Sequence, residues 1–257
     1  MEFSEKLEEL KKSDLKQVLI NNWTIGALSL VFLLALYLRL RPAQGMQYLQ
    51  ALDPYMIVRM SRHLALDGNL PVSDFMRYFP YNTPIYHLNL GNIFIPSIIY
   101  WLGPFLVFGS YIEYAQFYPA LMGALSVIVM YFLGKETFNR LTGISAAFFL
   151  ATIAGVMHRT SAGFFEKEPT GTLLMLGSLY FFTRAWKRED WTSGIISGVA
   201  LGLFSVPWGG SQMLWLLYPL VVGTMLWLNE DISNLVVAYT PTILIGGGMA
   251  SVINPSR

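Results

Sequence analysis

The sequence predicts an all-α polytopic membrane protein, with about seven transmembrane helices and a large first external loop that contains short helices. Three observations predict this class. Hydrophobic residues make up 54% of the 257, charged residues only 13%, and mean hydropathy is +0.47, whereas soluble domains carry about 25% charge. The apolar residues gather into runs long enough to cross a bilayer at about 1.5 Å per residue. Connectors between the later runs are short, and no repeat, low-complexity tract or soluble domain is visible.

The same composition excludes several chemistries. There is no cysteine, so disulfides, thiolate metal sites and cysteine nucleophiles are absent together. Three histidines are too few for a histidine-rich metal site. A metal would be held mainly by carboxylate oxygens, which favours Mg²⁺, Mn²⁺ or Ca²⁺. The net charge of +1 says little about partners, because a membrane protein sorts its charge by side. No nucleic-acid partner is expected.

Taken in order, residues 1–20 read as a cytoplasmic amphipathic helix, with Phe3, Leu7, Leu10 and Val18 at helical spacing and Glu2/Lys6 and Glu8/Lys12 at i,i+4. The transmembrane domain is expected over 21–257. Its first span, residues 23–40, has a polar flank and no small-residue cleavage site, so it reads as an uncleaved anchor. A mixed segment, residues 41–113, then carries Asp53-Pro54, Asp67-Gly68, Asp74 and the aromatic stretch Tyr78-Phe79-Pro80-Tyr81-Asn82-Thr83-Pro84. Within it, residues 93–108 are apolar but broken by Pro96 and Gly103-Pro104, the pattern of an interfacial or re-entrant run. Further spans are expected at 114–133, 141–157, 170–185, 192–208, 213–228 and 235–253.

Lysine and arginine set the sidedness. Lys6, Lys11, Lys12 and Lys16 place the N-terminus in the cytoplasm, and Lys135 with Arg140 and Arg184 with Lys187 and Arg188 should share that side. The clusters agree only if residues 93–108 do not cross; Arg39 and Arg41 count against the rule. Segments 41–113 and 158–169 then become external loops, which puts Asp53 and the pair Glu166 and Glu168 on one side of a cell membrane.

Those acids are the candidate chemistry, and each has a plain alternative. Asp before Pro is a favoured helix start, and the residues alone favour a capping role for Asp53, with the helix stopping at Gly68. Glu168 before Pro169 has the same alternative, whereas Glu166 does not. The turn Glu166-Lys167-Glu168 sets two carboxylates close together, a repulsion that a divalent cation would relieve. Arg159, seven residues before Glu166, suits either a phosphate or neutralisation of the pair. Trp208-Gly209-Gly210 reads first as a belt tryptophan, and second as a substrate contact that the glycines would let approach. His87 and His158 have no assignable partner; His87 is carried with Trp208 as a substrate-binding candidate. No charge lies in the middle of a span, which weighs against a transporter or proton pump.

These residues carry a resemblance. Leu52-Asp53-Pro54-Tyr55 and Tyr78-Phe79-Pro80 lie in the first loop, Arg159 and Gly163-Phe164-Phe165-Glu166-Lys167-Glu168-Pro169-Thr170 in the second, and Trp208-Gly209-Gly210 follows. In order, spacing and expected side they resemble the N-terminal membrane part of the oligosaccharyltransferase catalytic subunit in its archaeal form, from about residue 23 onward. The resemblance implies metal-dependent transfer of an oligosaccharide from a dolichyl phosphate or diphosphate carrier to Asn of Asn-X-Ser/Thr in a polypeptide. It implies Asp53, Glu166 and Glu168 as metal ligands, with Mg²⁺ or Mn²⁺, and Asp53 also facing the acceptor amide. Arg159 would stand beside the acids, and Trp208 near the lipid phosphate.

The family also has thirteen spans and a soluble C-terminal domain. A further catalytic Glu lies in a later loop, and a Trp-Trp-Asp-Tyr-Gly motif grips the acceptor. The sequence stops at Arg257 without either. The expectation is therefore a truncated or split catalytic subunit whose remaining half could come from a second chain. The competing readings are another lipid-linked glycosyltransferase of protein O-mannosyltransferase type, and a non-catalytic membrane partner.

Overall fold

The structure is a computed structural model and describes residues 22–84, 90–103 and 108–253. The amphipathic helix expected over 1–20, and His87, lie outside the described residues. The all-α class is observed. Helix α1 (Asn22–Ala43) ends in a 3-10 turn that Pro42 starts. Helix α2 (Asp53–Arg62) runs into a π-helical turn, His63–Asp67, and stops on Gly68 in the left-handed conformation (φ 70°), the stop read from the sequence. A two-residue antiparallel ladder, β1 (Ser73–Asp74) with β2 (Thr83–Pro84), folds the aromatic stretch back on itself. Helix α3 (Gly91–Trp101) follows.

The remaining helices are α4 (Tyr111–Thr137), α5 (Arg140–Thr152), α6 (Ala154–Arg159), α7 (Lys167–Arg188), α8 (Trp191–Ser205), α9 (Gln212–Trp227) and α10 (Ser233–Ile253). Their starts follow capping chemistry. Ser110 accepts from the Glu113 amide while Glu113 Oε2 accepts from Gly109 N at 3.0 Å, a reciprocal cap. Asn139 and Asp190 cap α5 and α8 through the amides of Thr142 and Thr192. Among the described residues, α1, α4 and α10 are long and apolar enough to cross a membrane.

One expected span is broken. Residues 141–157 do not form a single helix: the chain becomes extended at Ile153 (φ −64°, ψ 120°), separating α5 from α6. The cause comes from another helix. Arg39 of α1 is fully buried, and its guanidinium donates to Leu150 O (3.2 Å), Ala151 O (3.0 Å), Ala35 O (3.2 Å) and Thr160 Oγ1 (2.8 Å). The carbonyls that would accept from residues 154 and 155 are therefore taken up by a side chain.

Packing joins α4 to α5 and α7, and α8 to α7 and α10. Gly194, Gly198 and Gly202 recur every fourth residue on α8, and a Cβ at each would fall 2.5–2.7 Å from Pro241 or Met249 of α10. Small residues at this spacing let two helix backbones approach where lipid gives no hydrophobic drive. A different cluster positions the site: Ile57 and Val58 of α2, Tyr114, Tyr118 and Met122 of α4, and Phe165 form one buried core. The loop before α7 is thus anchored against α2.

Candidate active site

Three main-chain hydrogen bonds fix the loop that precedes Glu166. Ala162 N donates to Arg39 O (2.8 Å), Gly163 N to Gln116 O (3.0 Å), and Gln50 N to Gly163 O (3.2 Å). Gly163 has φ 83°, and a Cβ there would fall 2.7 Å from Met46 Sδ, so only glycine suits both the backbone and the contact. Ala162, Phe164 and Phe165 are buried behind it.

Neither acid expected to cap a helix does so. The chain is already helical at Leu52 (φ −81°, ψ −44°), which takes the N-cap position and has no polar side chain; Asp53 becomes the first helical residue. There its carboxylate is exposed and favoured by the positive helix end. Helix α7 starts at Lys167, so Glu166 occupies its N-cap position without a side-chain cap bond, and Glu168 falls inside the first turn.

Glu166 is 9% exposed. Burial, then the neighbouring Glu168 and the Asp53 charge, push its carboxyl above the usual range, against the opposing pull of Lys167 and Arg159. Lys167 Nζ lies 3.7 Å from Glu166 Oε2, and Arg159 NH1 3.7 Å from Glu168 Oε1. Arg159 also lies over the Phe164 ring at 5.1 Å, and its side chain stays about half exposed beside Glu168. Glu168 Oε2 is buried without a hydrogen-bond partner.

Asp53 and Glu166, 113 residues apart in sequence, share the wall of one cavity of about 450 Å³ with Arg59, Arg77, Asn92 and Lys167. Glu168 and Arg159 are not part of that wall. Sequence reasoning missed Arg59, Arg77 and Asn92. Arg59 is paired with Asp74, whose side chain is nearly inaccessible, and Asn92 Nδ2 donates to Pro207 O at 3.1 Å. Nothing local marks them, since both partners are distant in sequence.

Trp208 is half-buried rather than open to a ligand on all sides. Its ring packs edge-on against Phe204 (5.8 Å) and closely over Gly171 and Gly210. The room left by Gly171 and Gly210 is filled by the tryptophan itself, while Gly209 faces open space.

As a metal site the donor set has mixed credentials. All donors are carboxylate oxygens, and the orphaned Glu168 Oε2 together with the desolvated Glu166 fits a hard cation. Among the described residues no three His, Asp or Glu side chains are gathered into a ready-made cluster.

A bundle of apolar helices with paired acids and a mixed-charge cavity at one end defines a membrane protein whose polar work is done at a helix-end surface. The model of the family described as "Oligosaccharyl transferase STT3, N-terminal" matches residues 27–255, and the chain belongs to that family. It is 25% identical over 231 residues to the dolichyl-diphosphooligosaccharide–protein glycosyltransferase subunit STT3B of Arabidopsis thaliana, a match covering 86% of this chain and 31% of that protein. Its fold is similar to archaeal oligosaccharyltransferase AglB from Archaeoglobus fulgidus, solved in complex with an inhibitory peptide and a dolichol-phosphate (TM-score 0.75, 20% identity, 90% of this chain and 29% of that one). An Archaeoglobus fulgidus oligosaccharyltransferase solved with Zn and sulfate gives a TM-score of 0.70 at 21% identity, over 85% of this chain and 30% of that one. The chain thus spans about a third of the length of the curated relative.

Proposed function

We propose that this chain supplies the acid-bearing side of an oligosaccharyltransferase site, which transfers a glycan from a dolichyl phosphate or diphosphate carrier to Asn of Asn-X-Ser/Thr in a polypeptide. The observation that carries the reading is the single cavity lined by both Asp53 and Glu166. Asp53, exposed at the start of α2, accepts an N–H of the acceptor amide and loosens the conjugation that makes this nitrogen a poor nucleophile. Arg59, Arg77 and Lys167 give the same cavity the cations that suit a phosphate-bearing carrier. Asp53, Glu166 and Glu168 would hold Mg²⁺ or Mn²⁺, which supplies neutralisation of the departing phosphate. Arg159 and Lys167 temper the repulsion within the pair when no cation is bound. Trp208, packed on Gly171 near the start of α7, is assigned to shaping the donor side, and His87 stays a substrate-binding candidate.

The test is complementation of a glycosylation-deficient strain by the chain with any coding sequence that follows it, read as transfer to an Asn-X-Thr peptide. Asp53→Ala and Glu166→Ala are each expected to lower transfer about a hundredfold or more. Transfer that is unchanged in both variants would overturn the site.

The reading includes seven crossings, a cytoplasmic N-terminus and the acids on the external face. Two observations support it. Helix α3 has 11 residues, a rise of about 16 Å against a hydrocarbon core of about 30 Å. Arg39, which weighed against the charge bias, is enclosed in the bundle and leaves the count of loop charges. In this cysteine-free sequence, single cysteines at Gly103 and Thr137 should label from opposite sides of sealed vesicles. Labelling from one side removes the seven-crossing arrangement.

A further inference from the structure

At the end of the bundle away from the acids, α1 begins, α4 ends and α5 begins. A second cavity of about 550 Å³ opens between them. Leu28 and Phe32 of α1 and Ile128 of α4 give it an apolar length, and Lys135 and Arg140 add two cations where α4 hands over to α5.

Among the described residues, the other basic groups at this end have acidic or carbonyl neighbours. Arg188 grips Glu136 with two hydrogen bonds of 2.7 and 2.8 Å, Lys187 donates to the carbonyls of Glu136 and Thr137 (2.9 and 2.6 Å), and Arg184 Nε lies 3.9 Å from Asp190. Among the described residues neither Lys135 nor Arg140 pairs with a carboxylate; Lys135 Nζ rests 5.9 Å from the Tyr131 ring centre. The first turn of α5 carries no acid, so the positive end of that helix adds to the Arg140 charge. An apolar slot that ends in two cations with no carboxylate partner among the described residues is complementary to one chemistry: a hydrocarbon chain with a net-negative head.

We propose that this groove seats an anionic phospholipid, with an acyl chain along Leu28, Phe32 and Ile128 and the headgroup phosphate against Lys135 and Arg140. A zwitterionic lipid brings its own ammonium group and gains less from the two cations. The proposal uses neither Asp53 nor Glu166 and stands whether or not the transferase reading does.

The experiment is native mass spectrometry of the detergent-purified chain, incubated with equal amounts of phosphatidylglycerol and phosphatidylcholine of identical acyl chains. Each cation beside an anionic headgroup is worth about fivefold in binding. Lys135→Gln with Arg140→Gln should therefore cut retained phosphatidylglycerol roughly twentyfold, leaving phosphatidylcholine unchanged. Lys135→Arg should retain it, and Ser29→Phe, which fills the groove without touching charge, should lose both lipids. Equal retention of the two lipids by the unaltered chain, or phosphatidylglycerol retention that survives the double substitution, overturns the proposal. So does inorganic phosphate raising the melting temperature as much as phosphatidylglycerol, which would mean an anion site without a lipid groove. A cysteine at Ser29 that crosslinks to one placed within residues 1–20 would give the groove to the chain's own N-terminus, and also overturns it.

Discussion

Replacing Arg39 with leucine is expected to cost about 3–5 kcal/mol of stability, because several buried acceptors lose their donor at once. Leu150 O, Ala151 O and Thr160 Oγ1 all bond the guanidinium, the last two in buried surroundings. Gly123 is packed directly against it, so leucine, lacking the planar fork, leaves an unfilled and unsatisfied space. Arg39→Lys should fall between the two, since a single ammonium cannot reach three elements in fixed directions. Thermal unfolding in detergent checks the series. A melting temperature for Arg39→Leu within about 2 °C of the unaltered chain, less than the shift expected for 1 kcal/mol, would show that the break at Ile153 does not depend on this side chain.

The second large effect concerns the paired acids. Burial and Glu168 hold the Glu166 carboxyl above its ordinary range, so the folded chain binds a proton there that the unfolded chain has already released. In the absence of a cation, stability contributed at Glu166 is full below the unfolded value of about 4.5 and is lost as pH rises through the raised one. Glu166→Gln should therefore stabilise the cation-free protein at pH 7 and leave it unchanged at pH 4. Under the transferase reading the sign reverses for activity. Glu166 must be ionised to serve as a ligand, so protons compete with the cation for it and transfer at limiting cation should fall on acidification. Glu168→Gln removes the neighbouring charge and should shift that fall to lower pH while reducing transfer about ten- to a hundredfold. A pH profile that does not move in Glu168→Gln would rule out the coupling between the two acids.

Legibility in the sequence followed how local each cause is. The helices were readable because their apolar runs and caps lie within the segments they build, as with Ser110 and Glu113 of α4 or Gly68 after α2. The break at Ile153 was not, because its cause is a side chain 114 positions earlier in another helix. The seam of Gly194, Gly198 and Gly202 was present in the sequence as a small-residue repeat but passed unread. At the site, Asp53 and Glu166 were expected on one side of the membrane from chain order and charge bias, and they line one cavity. The capping alternative for Asp53 and Glu168 failed on a shift of one or two residues in helix start, an accuracy that local pattern does not supply. Arg59 and Asn92 stayed invisible because Asp74 and Pro207 reach them through the fold.

The tethering of the loop before Glu166 has a thermodynamic consequence. Its backbone is held at residues 162 and 163 by α1, by α4 and by the segment leading into α2, and Phe165 is sunk in the core. Such a loop has surrendered its conformational freedom during folding, so an incoming ligand that engages Glu166 does not have to order it. Affinity at this edge of the cavity would be decided by desolvation and charge, with little entropic toll from the protein.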